Sequence, residues 1–348
     1  MSFTGIVTLY DSPNCGSKLQ AFALSHTLES LGLHTCFLRT GARRPLINKG
    51  KTACKYILQG NFRKSLFYFK HIISFVRSKF KYRVTNLKTF NSADKVILGS
   101  DEIWNVARND IAKFPVFWGR GLLPPKISYA PSINQSIEKD FVKRNCYKDM
   151  SSLDAISVRD EHSKQIISTF LNRDITIVCD PTMLVEKKDW IALETTCPEK
   201  HDFILLYCFA YQLRDDDITK IMRFSREKGL TLISVADYLP FADKNLPLNP
   251  EKFIGYIHKA KYVIASTFHG TCFSLIYQKR FAVISRNSPK VENLLSQFNA
   301  SYLNITQHET IADLIDSDAD EKQRSFFLTT IRNHSLAWLK ANIAQEDK

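Results

Sequence analysis

Five short polar segments follow runs that the sequence predicts to be buried strands, and each carries side chains that bind anions or move protons. They are 11–18, 99–105, 128–132, 157–160 and 265–271. Histidine exchanges protons near neutral pH, and the guanidinium fork of arginine matches carboxylates and phosphates. His269 precedes Gly270 at a predicted strand-to-helix turn, and Arg159 ends a predicted strand. These two residues are therefore the first candidates for proton transfer and anion binding.

Each segment also has an ordinary structural interpretation. The glycine and serines of 11–18 suit an anion at a helix N-terminus, but they also suit a simple capped turn. Asp101 could bind a sugar hydroxyl or cap a helix. Arg159 could bind a ligand anion or pair with Asp160 or Glu161. The sequence contains neither a Walker motif nor GxGxxG, so no single segment identifies a nucleotide site.

The elements that would position these segments follow an α/β pattern, in which β-branched runs alternate with amphipathic runs. The pattern predicts two Rossmann-like domains facing a cleft, with helices at the C-terminus. We predict an N-terminal domain at 1–165, with a basic amphipathic insertion at about 39–90, and a C-terminal domain at 166–348. The last helix is expected to pack back on the N-terminal domain. Ligands of such sheets bind beyond the carboxyl ends of the strands.

Composition excludes several classes of protein. Of 348 residues, 44% are hydrophobic and 24% are charged, which is typical of a globular chain. The sequence has no apolar run long enough for a transmembrane helix and no secretory signal pattern at its N-terminus. Its eight cysteines include no CxxC pair, which favours reduced thiols and a cytoplasmic protein over a disulfide framework or a zinc site.

The net charge of +13 comes from one block of the chain. No acidic residue lies between Glu29 and Asp94, whereas that stretch holds fourteen lysines and arginines. Within it, 62–83 has apolar residues at helical spacing and basic residues on other faces, which is typical of a helix lying on an anionic membrane surface. The alternative is a core-packed helix with a solvated basic face. The predicted apolar stripe consists of Phe62, Leu66, Phe69, Ile73, Val76 and Phe80.

Six segments in order resemble the polysaccharide pyruvyl transferase family over about residues 4–300. They are NCGSKLQ at 14–20, GSDEIWN at 99–105, SYAPS at 128–132, SVRDE at 157–161, DPT at 180–182 and TFHGTCFSL at 267–275. Two positions depart from the pattern. Thr267 stands where some members have arginine, and a loop that is often S-R-I reads SPKV at 288–291, with Lys290 keeping the charge.

The resemblance implies a GT-B-like fold and a transferase that uses phosphoenolpyruvate as its donor. The enolpyruvyl unit would move onto two hydroxyls of a hexose in a polysaccharide precursor, giving a cyclic pyruvate ketal and phosphate. The acceptor is expected to be lipid-linked, because such precursors are commonly carried on lipids in bacteria. The protein would then act in the cytoplasm, peripherally on the inner face of the plasma membrane. No cofactor and no metal are expected.

The resemblance also implies roles for particular residues. His269 would be the general acid or the proton donor on the phosphate side, and Arg159 would hold the donor carboxylate or phosphate. The N–H groups of Gly270 and Thr271 would bind phosphate. Thr267, Phe268 and Lys290 would complete the donor site. The acceptor would be bound or oriented by Asn14, Gly16, Ser17, Ser100, Asp101, Trp104 and Tyr129, with Asp101 also a candidate base.

Two other functions remain open at this level. A GT-B-type glycosyltransferase using a nucleotide sugar would share the fold and a phosphate site at a helix N-terminus. A nucleic-acid-binding protein would explain the aromatic residues interleaved in the basic block, but no known nucleic-acid-binding motif accompanies them. We therefore expect no nucleic-acid partner.

Overall fold

The computed structural model describes residues 2–41, 46–286, 288–316 and 320–343. Its strands form two sheets, one of seven strands and one of five, and every pair of neighbouring strands is parallel. Arg43 and Arg44 of the basic block lie outside the described residues. No helix among the described residues is long and apolar enough to cross a bilayer.

The first sheet has the order β3-β2-β1-β4-β5-β6-β7. The strands are β1 Thr4–Val7, β2 Thr35–Leu38, β3 Val84–Thr85, β4 Lys95–Leu98, β5 Lys126–Ser128, β6 Ala155–Val158 and β7 Thr176–Ile177. The central strands are almost wholly buried, as expected of a parallel sheet covered on both faces. The strand β7 follows the predicted division at 165/166 but pairs with β6 in this sheet.

The second sheet has the order β10-β9-β8-β11-β12. The strands are β8 Phe203–Tyr207, β9 Thr231–Ser234, β10 Lys244–Asn245, β11 Tyr262–Ala265 and β12 Arg280–Val283. In both sheets the chain runs outward on one side of the first strand and then returns to its other side. The resulting switch points lie between β1 and β4 and between β8 and β11, which is where open α/β sheets bind ligands.

Fifteen α-helices connect and cover the strands within the described residues. They are α1 Cys15–Ser30, α2 Leu46–Leu58, α3 Phe62–Val76, α4 Leu87–Phe90, α5 Asn109–Ala112, α6 Glu138–Arg144, α7 Tyr147–Met150, α8 Glu161–Ser168, α9 Lys187–Leu193, α10 Asp215–Lys228, α11 Pro250–Lys259, α12 Phe268–Ile276, α13 Pro289–Gln297, α14 Ala312–Asp316 and α15 Glu321–Ile343. Short 3-10 turns occur at Pro115–Trp118, Pro181–Met183, Ala210–Gln212, Ser301–Leu303 and Ile305–Gln307.

The helix α1 lies between the two sheets and belongs to a core that both share. Leu19 on this helix is fully buried in the same hydrophobic cluster as Phe273 of α12. The ring of Phe22 lies 5.9 Å from that of Trp190, which lies 5.1 Å from that of Phe273. The two sheets are therefore joined by continuous apolar packing.

The C-terminal helix α15 spans both parts of the molecule. It packs against α12 beside the second sheet. Further along, Ser335 Oγ accepts a hydrogen bond of 2.8 Å from the backbone N–H of Cys179. Near its end, the carbonyl of Asn342 accepts one of 2.9 Å from Lys95 Nζ, at the start of β4. The helix thus reaches the strands of the first sheet.

The basic segment forms a helical hairpin, α2 and α3, whose second helix has two apolar faces. Phe67, His71 and Phe75 of α3 are buried. The predicted stripe points the other way, and its members on α3 are exposed: Phe62, Leu66, Phe69, Ile73 and Val76. Phe80 lies beyond the end of the helix and is buried, so its assignment to that stripe was wrong.

Candidate functional site

A cavity of about 620 Å³ lies where the two switch points face each other. The first sheet contributes the loops after β1 and β4, and the second contributes those after β8 and β11. Of the predicted site residues, the cavity wall includes Asn14, Ser17, Asp101, Arg159, Thr267, Phe268, His269 and Lys290. Residues far apart in the chain therefore meet at the carboxyl edges of the two sheets.

The N-terminus of α1 is formed by the 11–18 loop. Asn14 caps the helix, because its side-chain oxygen accepts a hydrogen bond of 3.3 Å from Ser17 N. The cap starts the helix at Cys15 and places its N-terminus at the cavity. Gly16 lies against the catalytic candidate: a Cβ built on it would be 2.2 Å from His269 Nδ1. Only glycine allows the imidazole to approach the helix this closely.

Asp101 is held on the opposite side of the first switch point. Its carboxylate accepts a hydrogen bond of 2.7 Å from Ser17 Oγ and one of 2.9 Å from Glu102 N. These bonds link the loops after β1 and β4, and they fix the orientation of a nearly buried carboxylate beside the cavity. Asp101 is not a helix N-cap, the structural interpretation that the sequence allowed.

Asp180 joins the two principal candidates. Its Oδ2 accepts a hydrogen bond of 3.2 Å from an Arg159 guanidinium nitrogen and lies 3.7 Å from His269 Nε2, within ion-pair distance. Ser100 Oγ also donates to this oxygen, over 3.2 Å. Burial would raise the pKa of the Asp180 carboxyl, but His269 and Arg159 hold it well below its usual range. Asp180 is therefore an anion between two groups that can carry positive charge.

The guanidinium of Arg159 retains binding capacity despite this ion pair. Its Nε is buried and has no hydrogen-bond partner among the described residues. The group also lies over the ring of Phe268, with Cζ 4.1 Å from the ring centroid. The sequence had suggested Asp160 or Glu161 as its structural partner. Asp160 instead caps α8 and accepts from Ser132, so the partner is Asp180.

One ring nitrogen of His269 is likewise buried without a hydrogen-bond partner among the described residues. Its Nε2 is buried and makes no hydrogen bond to any described residue, since the Asp180 oxygen is too distant for one. A buried polar atom without a partner is costly unless it serves a ligand or a reaction. His269 and Arg159 are the two cavity-lining residues that carry such an atom among the described residues.

The N-terminus of α12 binds its own cap. Gly270 N donates to Thr267 Oγ1 over 3.0 Å, and Thr271 N donates to Thr267 O over 3.1 Å. The two amides predicted to bind phosphate are therefore already bonded, and neither residue lines the cavity. Among the described residues, no hydrogen bond is formed by the amides of Phe268 and His269, which precede them in the first turn.

Three predicted acceptor residues support the site from behind and do not line the cavity. Trp104 is fully buried and donates to Phe117 O, and the Tyr129 hydroxyl donates to Cys179 O. Ser100 is also fully buried and positions Asp180. Each of these motifs thus contains residues that either line the cavity or pack behind its wall.

Further charged residues line the cavity, and sequence reasoning did not single them out. One carboxylate oxygen of Glu102 forms an ion pair with Lys290 Nζ, and the other forms one with Arg108. Burial would raise the pKa of Glu102, but Lys290 lowers it to about 2. Arg286 pairs with Asp217.

Arg214 stands out among these cations. It lines the cavity at the start of α10, yet its guanidinium forms no ion pair with any described residue. No local signal in the sequence distinguishes it from the other arginines. The described residues contain no cluster of three metal-ligating side chains.

A family model described as polysaccharide pyruvyl transferase matches residues 14–288, which is most of the chain. The match includes all six segments that carried the resemblance. Among curated proteins, none is significantly similar to the chain in sequence.

Several solved structures are similar over nearly the whole chain. UDP-GlcNAc 2-epimerase from Neisseria meningitidis bound to UDP-GlcNAc has a TM-score of 0.53 at 7% identity, covering 98% of this chain and 99% of that one. Arabidopsis thaliana UGT89C1 complexed with UDP has a TM-score of 0.52 at 9% identity, covering 98% of this chain and 99% of that one. UDP-GlcNAc 2-epimerase from Methanocaldococcus jannaschii has a TM-score of 0.50 at 9% identity, covering 96% of this chain and 100% of that one. At these identities the similarity concerns the fold alone, and it confirms the predicted GT-B-like architecture.

Proposed function

Because the chain belongs to the polysaccharide pyruvyl transferase family, we propose that it moves the enolpyruvyl unit of phosphoenolpyruvate onto two hydroxyls of a hexose, releasing phosphate. The acceptor would be a precursor of a cell-surface polysaccharide. One observation carries the proposal: His269 and Arg159 line one cavity between the two sheets, and His269 Nε2 and Arg159 Nε are both buried without a hydrogen-bond partner among the described residues. A proton donor and an anion anchor are what the transfer of an enolpyruvyl unit from an enol phosphate requires.

The cavity suits a donor with a carboxylate and a phosphate. It lies beside the N-termini of α1 and α12, and helix N-termini stabilise anions through the helix dipole and their unbonded amides. The amides of Phe268 and His269 take the phosphate-binding role that the sequence gave to the next two residues. Arg159 and Arg214 supply cationic contacts, and Lys290 becomes available if the donor displaces Glu102.

In the proposed reaction, His269 Nε2 gives its proton to the methylene carbon of the donor, and positive charge develops on the adjacent carbon. One sugar hydroxyl attacks that carbon, and the second hydroxyl then replaces the phosphate. Two C–O bonds form, and the C–O bond to phosphate breaks. Of the two hydroxyl protons, one restores His269 and the other leaves with phosphate. Asp180 is the counter-ion of the histidine in its charged form.

The acceptor side of the cavity is formed by the first sheet. Asn14, Ser17 and Asp101 offer polar atoms that suit sugar hydroxyls, and Asp101 is the candidate base that would take a hydroxyl proton before it passes to His269 or to phosphate. A second cavity of about 370 Å³ shares Asn14, Tyr207 and Phe209 with the main one, leaving room for more than one sugar. A lipid-linked saccharide remains the acceptor we favour, which would bring the protein to the inner face of the plasma membrane.

The deciding experiment incubates the purified protein with phosphoenolpyruvate and a panel of synthetic and lipid-linked hexosides. We expect phosphate release that depends on one acceptor, and a product whose mass has increased by a pyruvate ketal. A parallel reaction supplies UDP-sugars. Release of UDP, with no phosphate formed from phosphoenolpyruvate, would reject the proposal and favour a glycosyltransferase.

Arg214→Ala should raise KM for phosphoenolpyruvate by about 10- to 100-fold, because hydrogen bonds to charged groups contribute about 1.5–3 kcal/mol. The change in kcat should be smaller, since this arginine contacts the donor in the ground state as well. Arg226→Ala is the matched control, because Arg226 lies exposed on the same helix. Equal KM values for the two variants would exclude Arg214 from the donor site.

Gly16→Ala should lower turnover by about 100-fold, because displacing a catalytic group by about an ångström has this effect. The new methyl carbon would meet the His269 ring at 2.2 Å, so the ring has to move. Gly50→Ala is the control, since a Cβ there would lie 3.9 Å from its nearest neighbour, Ile72 Cδ1. Phosphate release and thermal unfolding would be measured for both. An unchanged rate in Gly16→Ala would show that the position of the ring is not critical.

A further inference from the structure

We infer that the outer face of α3, together with the end of α2, is a docking surface for an anionic lipid bilayer. The surface consists of the exposed apolar residues Ile57, Leu58, Phe62, Leu66, Phe69, Ile73 and Val76 with the basic side chains around them. It lies outside the cavity assigned to chemistry. The inference goes beyond the proposed reaction, to which it adds a position at the membrane.

Apolar exposure is concentrated on this hairpin. The described residues include fifteen exposed large hydrophobic side chains, and seven of them lie between Ile57 and Val76. Phe62 is 68% exposed and Val76 is 59% exposed. Scattered apolar residues are normal on a soluble surface, but a contiguous group marks an interaction site. The spacing of 62, 66, 69, 73 and 76 aligns five of them along one side of a single helix.

The charge around this surface indicates its partner. Exposed basic residues lie on the same two helices and just beyond α3, namely Lys51, Lys55, Arg63, Lys70, Arg77 and Lys81. No acidic residue occurs anywhere in the sequence between Glu29 and Asp94, so nothing in the segment neutralises them. An apolar stripe inserts at the boundary between headgroups and acyl chains, while lysine and arginine contact anionic headgroups. The combination fits a bilayer that carries negative charge.

The opposite face of α3 fixes the helix close to the cavities. His71 is buried on the face opposite the exposed stripe, and it lines the second cavity together with Lys49. Tyr68 of the same helix donates to Asp237 over 2.7 Å. One helix, with a diameter of about 10 Å, thus separates the proposed bilayer surface from the space that adjoins the candidate site. A saccharide attached to a lipid in that bilayer would have a short path to the cavity.

Other occupants fit the stripe less well. Single-stranded nucleic acid stacks its bases on aromatic rings and contacts basic residues. Leu66, Ile73 and Val76 offer no ring for stacking, yet they form much of the exposed stripe. A second copy of the chain would bring two basic surfaces together, which like charges oppose.

The test is sedimentation of the full-length protein with phosphatidylcholine vesicles, with and without phosphatidylglycerol. We expect binding to the anionic vesicles at low salt, weaker binding at high salt, and little binding to pure phosphatidylcholine. The variant Phe62→Ser/Phe69→Ser/Ile73→Ser should bind at least about tenfold more weakly, because each substitution removes apolar surface that would enter the bilayer boundary. The control Leu123→Ser/Val142→Ser changes exposed apolar residues elsewhere and should bind like the wild type.

Several outcomes would overturn the inference. One is a lack of binding to anionic vesicles at low salt, and another is equal binding by the triple variant. A third is a dimer that the triple variant abolishes without any vesicle binding. A fourth is salt-sensitive retention on single-stranded DNA in place of vesicles. Turnover with a soluble hexoside should be unchanged in the triple variant, so vesicle binding without any turnover would reject the proposed reaction but not the docking surface.

Discussion

Replacing His269 by asparagine is expected to lower kcat for phosphate release by about 100- to 10,000-fold, the usual contribution of a general acid or base. Asparagine keeps a polar group at the position of Nδ1 but cannot deliver a proton to carbon at neutral pH. KM for phosphoenolpyruvate should change far less, because the arginines and the helix N-termini that are proposed to bind the donor remain. The kinetic separation of kcat from KM distinguishes a proton donor from a simple phosphate ligand.

The matched control is His201→Asn, which alters an exposed histidine in the loop before β8. Its kcat should equal that of the wild type. If His269→Asn retained near-normal kcat but raised KM, the residue would be a ligand of the donor phosphate. If neither constant changed, the proposed chemistry at this cavity would be rejected.

Exchanging Asp180 for alanine should lower the free energy of unfolding by about 3–5 kcal/mol, because it leaves a buried cation without its counter-charge. The side chains of Arg159 and Asp180 are 1% and 0% exposed. The control is Asp202→Ala, which breaks an exposed pair with Lys261 and should cost less than about 1 kcal/mol. Urea unfolding followed by circular dichroism measures both values.

A double variant separates stability from catalysis. Arg159→Met/Asp180→Leu removes both charges, so much of the lost stability should return, whereas turnover should be absent.

The stability of the ion pair between Arg159 and Asp180 depends on pH with a defined sign. Because folding lowers the pKa of Asp180, its stabilisation is fully present above about pH 4 and is lost as the pH falls through the folded-state value. A wild-type stability that did not decrease more in acid than that of the double variant would contradict the ion pair.

The sequence predicted the fold well because its signals are local and repeated. Buried strands and amphipathic helices alternate along the chain, and polar loops follow the strands that bound the two switch points. Thr267, Phe268 and His269 stand at such a loop and do line the cavity. Parallel strand order brings the carboxyl ends together, so the residue type and its position after a strand were sufficient.

Asp180 shows why other parts of the site were missed. It follows a short strand and caps the turn at Pro181–Met183, which is all that its neighbours in sequence reveal. Its partners Arg159 and His269 come from two different sheets and meet it only after the whole chain has folded. Trp104 and Tyr129 illustrate a related limit: they lie behind the cavity wall, and a motif does not distinguish a side chain that touches ligand from one that supports the wall.

The helix α3 shows a limit of periodicity. Its sequence contains two apolar faces, and the pattern alone could not reveal which of them packs against the protein. The buried face carries Phe67, His71 and Phe75, and the sequence had given no prediction of how that face packs. Only tertiary contacts determine that choice.

The position of α1 in a core common to both sheets has a consequence for folding. Neither half of the chain contains all the residues that bury Leu19 and Phe273, so a half expressed alone would expose apolar surface that the intact protein conceals. The two sheets are distinct in topology, and we expect their unfolding to be coupled, because the helix that brings Gly16 against His269 lies in the core that both share. Because α1 belongs both to that core and to the cavity wall, loosening of the core would displace residues that line the cavity.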